Sequence, residues 1–497
     1  MSRTYRFPGW IIMQPKLCLL TPELVSRILE EAFQLLMKPG IKIQNAEARR
    51  LLAEAGAAVT ADGDVVRIPE KLARTALETV PSQFSLYDRE GNATVCYGGD
   101  AVHFDPGSSG VRVLDPHTLQ HRAAQTADLV RLVKVAEMLP QMDAQSTAVV
   151  CHDVPKGIAD LYRLYIVLMF SRKPVVTGAF SLETIEPMID LLALFAGGRE
   201  ALRDKPQAVF DACPSPPLIW SHFGAGNLIR LARAGVPAEI VSMPLAGAVA
   251  PVTLLGTVTQ HAAECLSGIV IHQAAQPGSP IVWGGAPAIM DMRKGSTPMA
   301  AIETAMIDSS YAQVGKSLNI PTHTYLCTSD AKIVDAQAGL ESGMTALIGA
   351  LTGINMISGA GMLDFLACQS PEKLVIDAEA IAMTRRLLEG MKIQTQTLAT
   401  ELFEGINFKG DFLKQRLTRD LFASEQHLPS AVIDRDSMRG WQEAGGLDTF
   451  ARAMLRTDQL VNSYRRPDMD ARLESELCSL MESTAAEAGM SALPALE

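Results

Sequence analysis

The sequence predicts an α/β fold, a (β/α)8 TIM barrel with an N-terminal α+β cap and a C-terminal helical extension. From residue 100 onward, eight apolar segments each end in small or polar residues, and each is followed by a segment of helical period. They recur about every thirty to forty residues, the length of one βα unit, and eight such units make a barrel. No GxGxxG motif follows the first of them, which disfavours an open dinucleotide-binding sheet.

Composition indicates the kind of core and the class of partner. The chain has 497 residues, of which 48% are hydrophobic and only 5% aromatic, so we expect a large aliphatic interior. The net charge of −11 offers no basic surface for phosphates and disfavours nucleic acid or an anionic membrane as partner. The eight cysteines are scattered without a CxxC pair, so no disulfide framework is predicted. The N-terminal segment lacks the pattern of a signal peptide, and a cytoplasmic protein is expected.

Residues 1–99 are predicted to form the cap. One helix begins after Thr21, in TPELVSRILEEAFQLLMKPG, and stops at Gly40; a second, AEARRLLAEAG, ends at Gly56. Short strands are predicted at IKIQ, VVRIP, SQFSLYD and NATVCYG, with a third helix from Glu70 to about Glu78. This alternation without a parallel rhythm indicates an α+β unit that shields one face of a larger core.

Residues 100–370 are predicted to form the barrel, and residues 371–497 a helical extension packed on it. The eight barrel strands are predicted at AVHFD, DAQSTAVV, PVVTGAF, QAVFDAC, AEIVSM, PIVWGG, THTYLC and INMISG. The later helical segments favour packing or contact between copies over chemistry, and a homo-oligomer is expected. The apolar run LIGALTGINMISGAGML is interrupted by polar residues and glycines, which indicates buried core and not a membrane span.

The segment from Ile320 to Asp364 is predicted to be a strand, a helix and a second strand, with polar residues at both strand ends. Loops at the carboxyl ends of strands carry the function of a barrel, so this segment supplies site candidates. They are Ser329, Asp330, Lys332, Asp335, Ser358, Gly359 and Gly361. The structural alternative is that Ser329 or Asp330 caps the following helix, with Lys332 and Asp335 in its first turn.

Further candidates lie at other strand ends and loops. HFDPGSSG places His103 and Asp105 at the end of the first strand, either as the rim of a pocket or in an ordinary Asp-Pro-Gly turn. Arg293, in the loop MDMRKGST, is a candidate clamp for a substrate carboxylate, and otherwise a solvated loop charge. His323 and Cys327 lack the further donors that a zinc site needs, and no metal is predicted.

Aromatic residues are scarce and their positions are therefore informative. The faces of aromatic rings attract organic cations, so several rings converging on one pocket would suit a quaternary ammonium group. Burial in the core for area alone is the other account of each ring. The candidates are Tyr97, Phe104, Trp220, Phe223, Trp283 and Tyr325, with His222 beside them.

Five motifs are more specific than these patterns: GGDAVHFDPGSSGVRVLD, SHFGAGNL, VWGGAPAIMDMR, CTSDAKIVDAQAG and GINMISGAGMLD. On these motifs the sequence resembles the trimethylamine methyltransferase family over nearly its whole length, in particular the members without pyrrolysine, which include glycine betaine methyltransferase. The resemblance implies a TIM barrel that moves a methyl group from an amine to the Co(I) of a separate corrinoid (cobalamin) protein, without a tightly bound cofactor of its own. Every residue here is a standard one, which points to an already quaternary amine, glycine betaine or a related betaine.

The resemblance also implies roles for the candidate residues. Asp330 and His323 are expected to be catalytic, and Gly359 and Gly361 to contact the corrinoid. The expected substrate-binding residues are Tyr97, Phe104, Asp105, Trp283, Tyr325 and Arg293. Two other functions remain open: a barrel lyase or aldolase that uses Lys332 as a Schiff-base amine or Asp330 as a base, and a betaine-binding barrel without turnover.

Overall fold

Eight parallel strands form the centre of the molecule in the computed structural model. The structure describes residues 15–60, 63–108, 110–394, 397–404, 408 and 410–496, apart from the side chain of residue 411. The N-terminal segment up to residue 14 and Ser109 of the predicted rim lie outside the described residues. The barrel strands are His103–Pro106, Gln145–Ser146, Val175–Gly178, Ala208–Ala212, Ala238–Ser242, Ile281–Gly285, His323–Thr324 and Met356–Ala360.

Each observed strand overlaps one of the eight predicted segments, and neighbouring strands pair in parallel around a ring. A bridge between Trp283 and Thr322 joins the sixth strand to the seventh. The eighth pairs with the first, Met356 opposite His103. The Asp143 N–H donates to the Phe104 carbonyl oxygen at 2.8 Å, which joins the first strand to the start of the second and closes the ring. The predicted barrel is confirmed.

A helix follows every barrel strand and packs outside it. The eight helices are Thr126–Met138, Ala159–Phe170, Leu182–Ala196, His222–Ala234, Leu254–Ala275, Ile302–Ser317, Ala336–Thr352 and Pro371–Leu388. Leu254–Ala275 is the one helix among the described residues that is long and apolar enough to cross a membrane. It contacts the helices on either side of it in the barrel, and 83% of its most apolar window is buried. This burial is what the core helix of a barrel requires.

The cap has the predicted helices and strands. Its helices are Pro22–Met37, Ala46–Glu54 and Glu70–Thr79, and its strands are Ile41–Ile43, Ala58–Val59, Val65–Arg67, Gln83–Tyr87 and Ala93–Gly98. The Thr21 hydroxyl accepts from the Leu24 N–H, as an N-cap does, and Gly40 adopts the left-handed conformation (φ +92°) that ends the first helix region. The last two strands form an antiparallel hairpin that closes the amino-terminal end of the barrel.

The C-terminal part consists of the helices Arg416–Glu425, Met438–Glu443, Thr449–Ser463 and Ala471–Glu487. Thr449–Ser463 packs on two barrel helices, Thr126–Met138 and Pro371–Leu388. The division of the chain into residues 1–99, 100–370 and 371–497 remains a prediction. Because Pro371–Leu388 takes the place of the eighth barrel helix, we propose that the last boundary lies near residue 390.

The barrel interior has an apolar layer with a polar layer above it. Ala144, Val176, Val209, Val282 and Met356 meet the side chain of Tyr97 from the hairpin at the amino-terminal end. Two residues further along the strands, alternation brings Asp211 and Ser358 to the interior, with Glu239 on the fifth strand. The polar layer therefore lies directly beneath the carboxyl ends of the strands, where loops can build a site.

Candidate active site

A cavity of about 300 Å³ opens at the carboxyl ends of the strands. Each of the eight strands, or the loop that follows it, contributes to the wall, through Ser108, Thr147, Gly178, Asp211, Val241, Ala286, Tyr325 and Leu366. This is the position in which barrel enzymes place their active sites, and the volume suits a small molecule. The cavity is therefore the candidate active site.

The upper wall of the cavity is apolar. Phe180, Phe223 and Met243 line it and keep 51%, 43% and 41% of their surface exposed. Apolar side chains this exposed at the edge of a cavity mark a surface for a ligand or a docking partner. The rings of Phe180, Phe223 and Tyr325 can also offer their faces to an organic cation.

Tyr325 connects the polar side chains of the cavity wall. Its hydroxyl donates to Asp211 Oδ2 at 3.1 Å and lies 2.6 Å from the Ser108 hydroxyl. Asp211 also makes a side-chain hydrogen bond with Glu239, the next acid of the polar layer. A carboxyl group at the wall of a cavity can attract a positively charged ligand once it gives up its proton.

Beneath this wall, a chain of hydrogen bonds crosses the barrel. Ser358 donates to Asp105 Oδ1 at 2.5 Å and lies 3.0 Å from Nε2 of His323. On its other side, His323 Nδ1 is 2.9 Å from Glu239 Oε1, although the two atoms lack the alignment of a hydrogen bond. Glu239 Oε2 accepts from the Tyr97 hydroxyl at 3.3 Å. Asp105, His323 and Glu239 are all fully buried.

Burial determines the protonation of this chain. It raises the pKa of Asp211 and of Glu239 to about 8, and the mutual repulsion of the two carboxylates adds to the rise for Asp211. Burial also raises the pKa of Asp105 and lowers that of His323 to about 4. Near neutral pH Asp211 and Glu239 therefore hold their protons and the imidazole is neutral, so these three groups carry little charge until a cation arrives.

One buried cation shares the wall with these acids. Arg163, on the helix Ala159–Phe170, lines the cavity, and its guanidinium carbon lies 4.6 Å from the centre of the Phe180 ring. Nη1 donates to the carbonyl oxygens of Thr147 at 2.7 Å and Ser108 at 3.0 Å. Burial lowers the pKa of Arg163 to about 10, which leaves it charged at neutral pH. The cavity thus has an acidic and a basic side.

A second, outer cavity of about 690 Å³ lies beside the first. Phe365 lines the outer cavity and Leu366 the inner one, so the loop after the eighth strand separates them. Asp364, Phe365 and Leu366 all have positive φ values, between 51° and 67°. Three successive non-glycine residues in this region are strained, and such strain is concentrated at functional sites.

Some predicted site residues come together and others do not. Tyr325 lines the inner cavity, while Asp105 and His323 lie in the polar layer beneath it. Tyr97 is deeper, stacked on Phe84 with ring centres 4.8 Å apart. The roles of these residues remain proposals: Tyr325 can touch a ligand directly, whereas His323 lies against the Tyr325 ring and is linked to Asp105 through Ser358.

Phe104 and Trp283 are corrected by the structure. Side chains alternate along a strand, so when Asp105 points inward its neighbour Phe104 points to the helices, where Arg385 lies against the ring. In the same way Trp283 packs on Gly315 and His261 of the surrounding helices. Both rings belong to the core, and the assignment of either to a cation site does not fit.

Arg293 and Asp330 lie at the outer cavity. Arg293 is on a loop, with 86% of its side chain exposed, and pairs with Asp291 at 2.8 Å. The Asp330 carboxylate accepts from the N–H groups of Met299 and Ala300, and burial raises its pKa to about 6. Asp330 therefore holds a neighbouring loop, and neither residue touches the inner cavity.

The remaining candidates have structural contacts. The helix begins at Ala336 and is capped by Asp335, so neither Ser329 nor Asp330 caps it and Lys332 precedes its first turn. A Cβ atom on Gly359 would lie 2.2 Å from the Leu326 carbonyl oxygen, and one on Gly361 would lie 2.4 Å from Gln369 Oε1. Gly359 permits close approach of a neighbouring backbone and Gly361 close approach of the Gln369 side chain, and neither lines either cavity. No cluster of three His, Cys, Asp or Glu side chains suited to a metal occurs among the described residues.

Sequence reasoning missed three residues of the cavity region. Asp211 and Glu239 are single acids in the strands Ala208–Ala212 and Ala238–Ser242, and Arg163 lies with Asp160 in a helix whose twelve residues are all buried. Charged residues are almost never fully buried unless they have a partner or a function. A charge within a mostly apolar element was the signal available in the sequence.

Comparison with known proteins gives the family. The model of the trimethylamine methyltransferase (MTTB) family matches residues 4–489. The chain belongs to this family. A trimethylamine methyltransferase of Methanosarcina mazei is 31% identical to this methyltransferase over 94% of the chain and 95% of its own length. The glycine betaine methyltransferase of Desulfitobacterium hafniense (strain Y51) is 29% identical over 96% of the chain and 98% of its own length.

Solved structures agree on the fold. The monomethylamine methyltransferase of Methanosarcina barkeri matches this methyltransferase with a TM-score of 0.52, over 91% of the chain and 90% of its own length. The sequence identity is 11%, so this likeness concerns the fold alone. Family membership makes the chain a methyltransferase.

Proposed function

We propose that this methyltransferase takes a methyl group from a small quaternary amine and transfers it to the Co(I) of a corrinoid carried by a separate partner protein. The observation that carries the proposal is the inner cavity. It combines aromatic rings, Tyr325 and Phe180 among them, with the buried carboxyl group of Asp211. Aromatic faces and a carboxylate together solvate an organic cation that has no N–H group to donate.

The chain's own residues bind and orient the donor. A quaternary nitrogen has no lone pair to be protonated, so no general acid is needed to release the amine. As the methyl group leaves, the electron pair of the C–N bond stays on nitrogen and a neutral tertiary amine results. Holding one methyl group in line with its acceptor lowers the barrier by restricting orientation, which can be worth several kcal/mol, up to about 7–11 in the best-aligned systems.

Bound to its own carrier protein, the corrinoid supplies the nucleophile. The described residues fit docking of such a partner, because Phe180, Phe223 and Met243 present exposed apolar surface around the entrance. The donor then lies between the polar layer and the entrance. A cytoplasmic location and a homo-oligomeric state remain predictions.

The lyase alternative finds less support. Lys332 has 53% of its side chain exposed, pairs with Asp364 at 3.2 Å, and lies 3.6 Å from the centre of the Phe365 ring. A Schiff-base lysine needs a desolvated environment that lowers its pKa, and this residue has a half-exposed site with a carboxylate beside it. Trapping with borohydride and a carbonyl substrate would leave an adduct only if the lyase hypothesis is right.

The test is a methyl-transfer assay with Co(I) cobalamin and the purified protein. Glycine betaine, choline, tetramethylammonium and trimethylamine are offered in turn, and the tertiary amine formed and the Co(I) consumed are both measured. We expect turnover of the quaternary donors, with as much tertiary amine formed as Co(I) consumed. Saturable binding of a donor with no tertiary amine formed, even with a corrinoid partner present, would instead identify a betaine-binding barrel without turnover.

A further inference from the structure

Arg163 is a buried cation that makes no ion pair among the described residues. It is 1% exposed, and the carboxyl groups of Asp160 and Asp211 act on it only from beyond salt-bridge distance. Removing a guanidinium from water is costly unless a complementary group compensates for the lost hydration. Its hydrogen bonds are made by Nη1 alone, which donates to the backbone carbonyl oxygens of Ser108 and Thr147.

The other N–H groups of the guanidinium lack acceptors. Nε is buried and has no hydrogen-bond partner, and Nη2 donates to none of the described residues. Nε and Nη2 lie on one edge of the planar group, and such an edge binds the two oxygens of a carboxylate side by side. The free edge therefore calls for an anionic group of this shape.

The cavity wall brings this guanidinium and an acid together. Arg163 and Asp211 both line the cavity, and they are linked through Ser108, whose carbonyl oxygen accepts from Arg163 and whose hydroxyl contacts Tyr325 beside Asp211. A ligand with one charge would leave one of the two wall groups unsatisfied. A small zwitterion satisfies both.

We infer that Arg163 binds the carboxylate of the methyl donor and so selects betaines, which carry a carboxylate, over quaternary amines that lack one. This inference rests on the proposed function and adds the specificity residue. The trimethylammonium group then lies toward Asp211 and Tyr325, and the carboxylate lies toward the Nε–Nη2 edge. Arg293, which the sequence suggested as a carboxylate clamp, lies at the outer cavity, so it is not placed to bind a ligand held in the inner one.

The first arm of the test uses the unchanged protein, so folding of a variant is not an issue. Isothermal titration compares glycine betaine with its methyl ester, which keeps the trimethylammonium group and loses the negative charge. We expect the acid to bind at least about tenfold more tightly than the ester. Equal affinities, tighter binding of the ester, or no binding of the acid would overturn the inference.

The second arm compares Arg163→Gln with Arg163→Lys. The glutamine variant is expected to bind glycine betaine at least about tenfold more weakly while its affinity for the ester changes by less than about threefold. The lysine variant keeps the charge without the planar edge, and its affinity for glycine betaine is expected to lie between those of the unchanged protein and the glutamine variant. An equal loss for acid and ester would show that Arg163 only supports the strand ends and would overturn the inference.

Arg199→Gln is the matched control. Arg199 is half-exposed and pairs with Glu186 and Asp190 on the outside of the barrel, so its replacement should leave both affinities unchanged.

Measuring methyl transfer separates this inference from the proposed function. Preferential binding of the acid without methyl transfer would refute the function and support the anchor. Equal methyl transfer from the acid, the ester and tetramethylammonium would support the function and refute the anchor.

Discussion

The Tyr325 hydroxyl donates to Asp211 Oδ2 at 3.1 Å across the carboxyl end of the barrel, although the two residues lie 114 positions apart in the chain. The seventh and fourth strands bring them together. The bond fixes the buried carboxyl at the wall of the cavity, next to Glu239. One contact between distant strands thus holds two residues of the candidate site in place.

Asp211→Asn should weaken donor binding. The amide keeps the size of the side chain but cannot become anionic, so the favourable interaction with a quaternary ammonium group is lost. We expect the dissociation constant for glycine betaine to rise at least about tenfold, measured by isothermal titration. Asp190→Asn, on the surface, is the control and should have no effect. Unchanged affinity in Asp211→Asn would place the cation elsewhere.

Tyr325→Phe should lower stability as well as binding. The change removes the hydroxyl that contacts both Asp211 and Ser108, and leaves the buried carboxyl without its donor. A loss of about 1–3 kcal/mol in the free energy of unfolding is expected from urea denaturation. Tyr87→Phe serves for comparison, since the Tyr87 hydroxyl has no hydrogen bond among the described residues. Equal stabilities of the two variants would contradict a structural role for this hydroxyl.

Donor binding should depend on pH. Burial raises the pKa of Asp211 to about 8, so below that pH the free protein holds a proton that a bound cation displaces. Affinity for a quaternary amine is therefore expected to increase as the pH rises from about 6 to about 8, with release of a proton on binding. Titrations in buffers of different ionisation enthalpy count that proton. A flat profile across this range would show that no carboxyl titrates with the ligand.

The same shift has a consequence for folding. Asp211 and Glu239 keep their protons in the folded protein over a range in which the unfolded chain has lost them. Their contribution to stability is therefore full below about pH 4 and is lost as the pH rises toward about 8. The urea midpoint, followed from about pH 5 to pH 8, should fall less in the Asp211→Asn and Glu239→Gln double variant. An identical fall in both proteins would assign the pH dependence to other groups.

Gly359→Ala should damage the barrel. The new methyl group would lie 2.2 Å from the Leu326 carbonyl oxygen, and neighbouring strands cannot separate without losing hydrogen bonds. A destabilisation of about 1–3 kcal/mol or more is expected. Gly339→Ala is the matched control, because it lies on the helix Ala336–Thr352 with nothing within 4 Å of the added atom, and it should stabilise by about 0.5–1 kcal/mol. A thermal melt of each variant decides between these outcomes.

The sequence by itself determined the architecture. The apolar strand segments, the helices that follow them and the turn residues are local signals, and each of the eight predicted segments overlaps a barrel strand. Resemblance in motifs such as CTSDAKIVDAQAG and GINMISGAGMLD indicated the family, which the family model confirms. The helix after the seventh strand was also predicted, but with a cap at Ser329 or Asp330, several residues before the observed start at Ala336.

Only the tertiary structure decided which side chains meet at the cavity. Strand pairing and register turn Asp105 inward and Phe104 outward, and they place Asp211, Glu239 and His323 in one layer. No local pattern contains these distances, because the residues come from strands far apart in the chain. Arg163 shows the same limit. Its sequence context is an apolar helix, and only packing against the strand ends brings its guanidinium to the wall of the cavity.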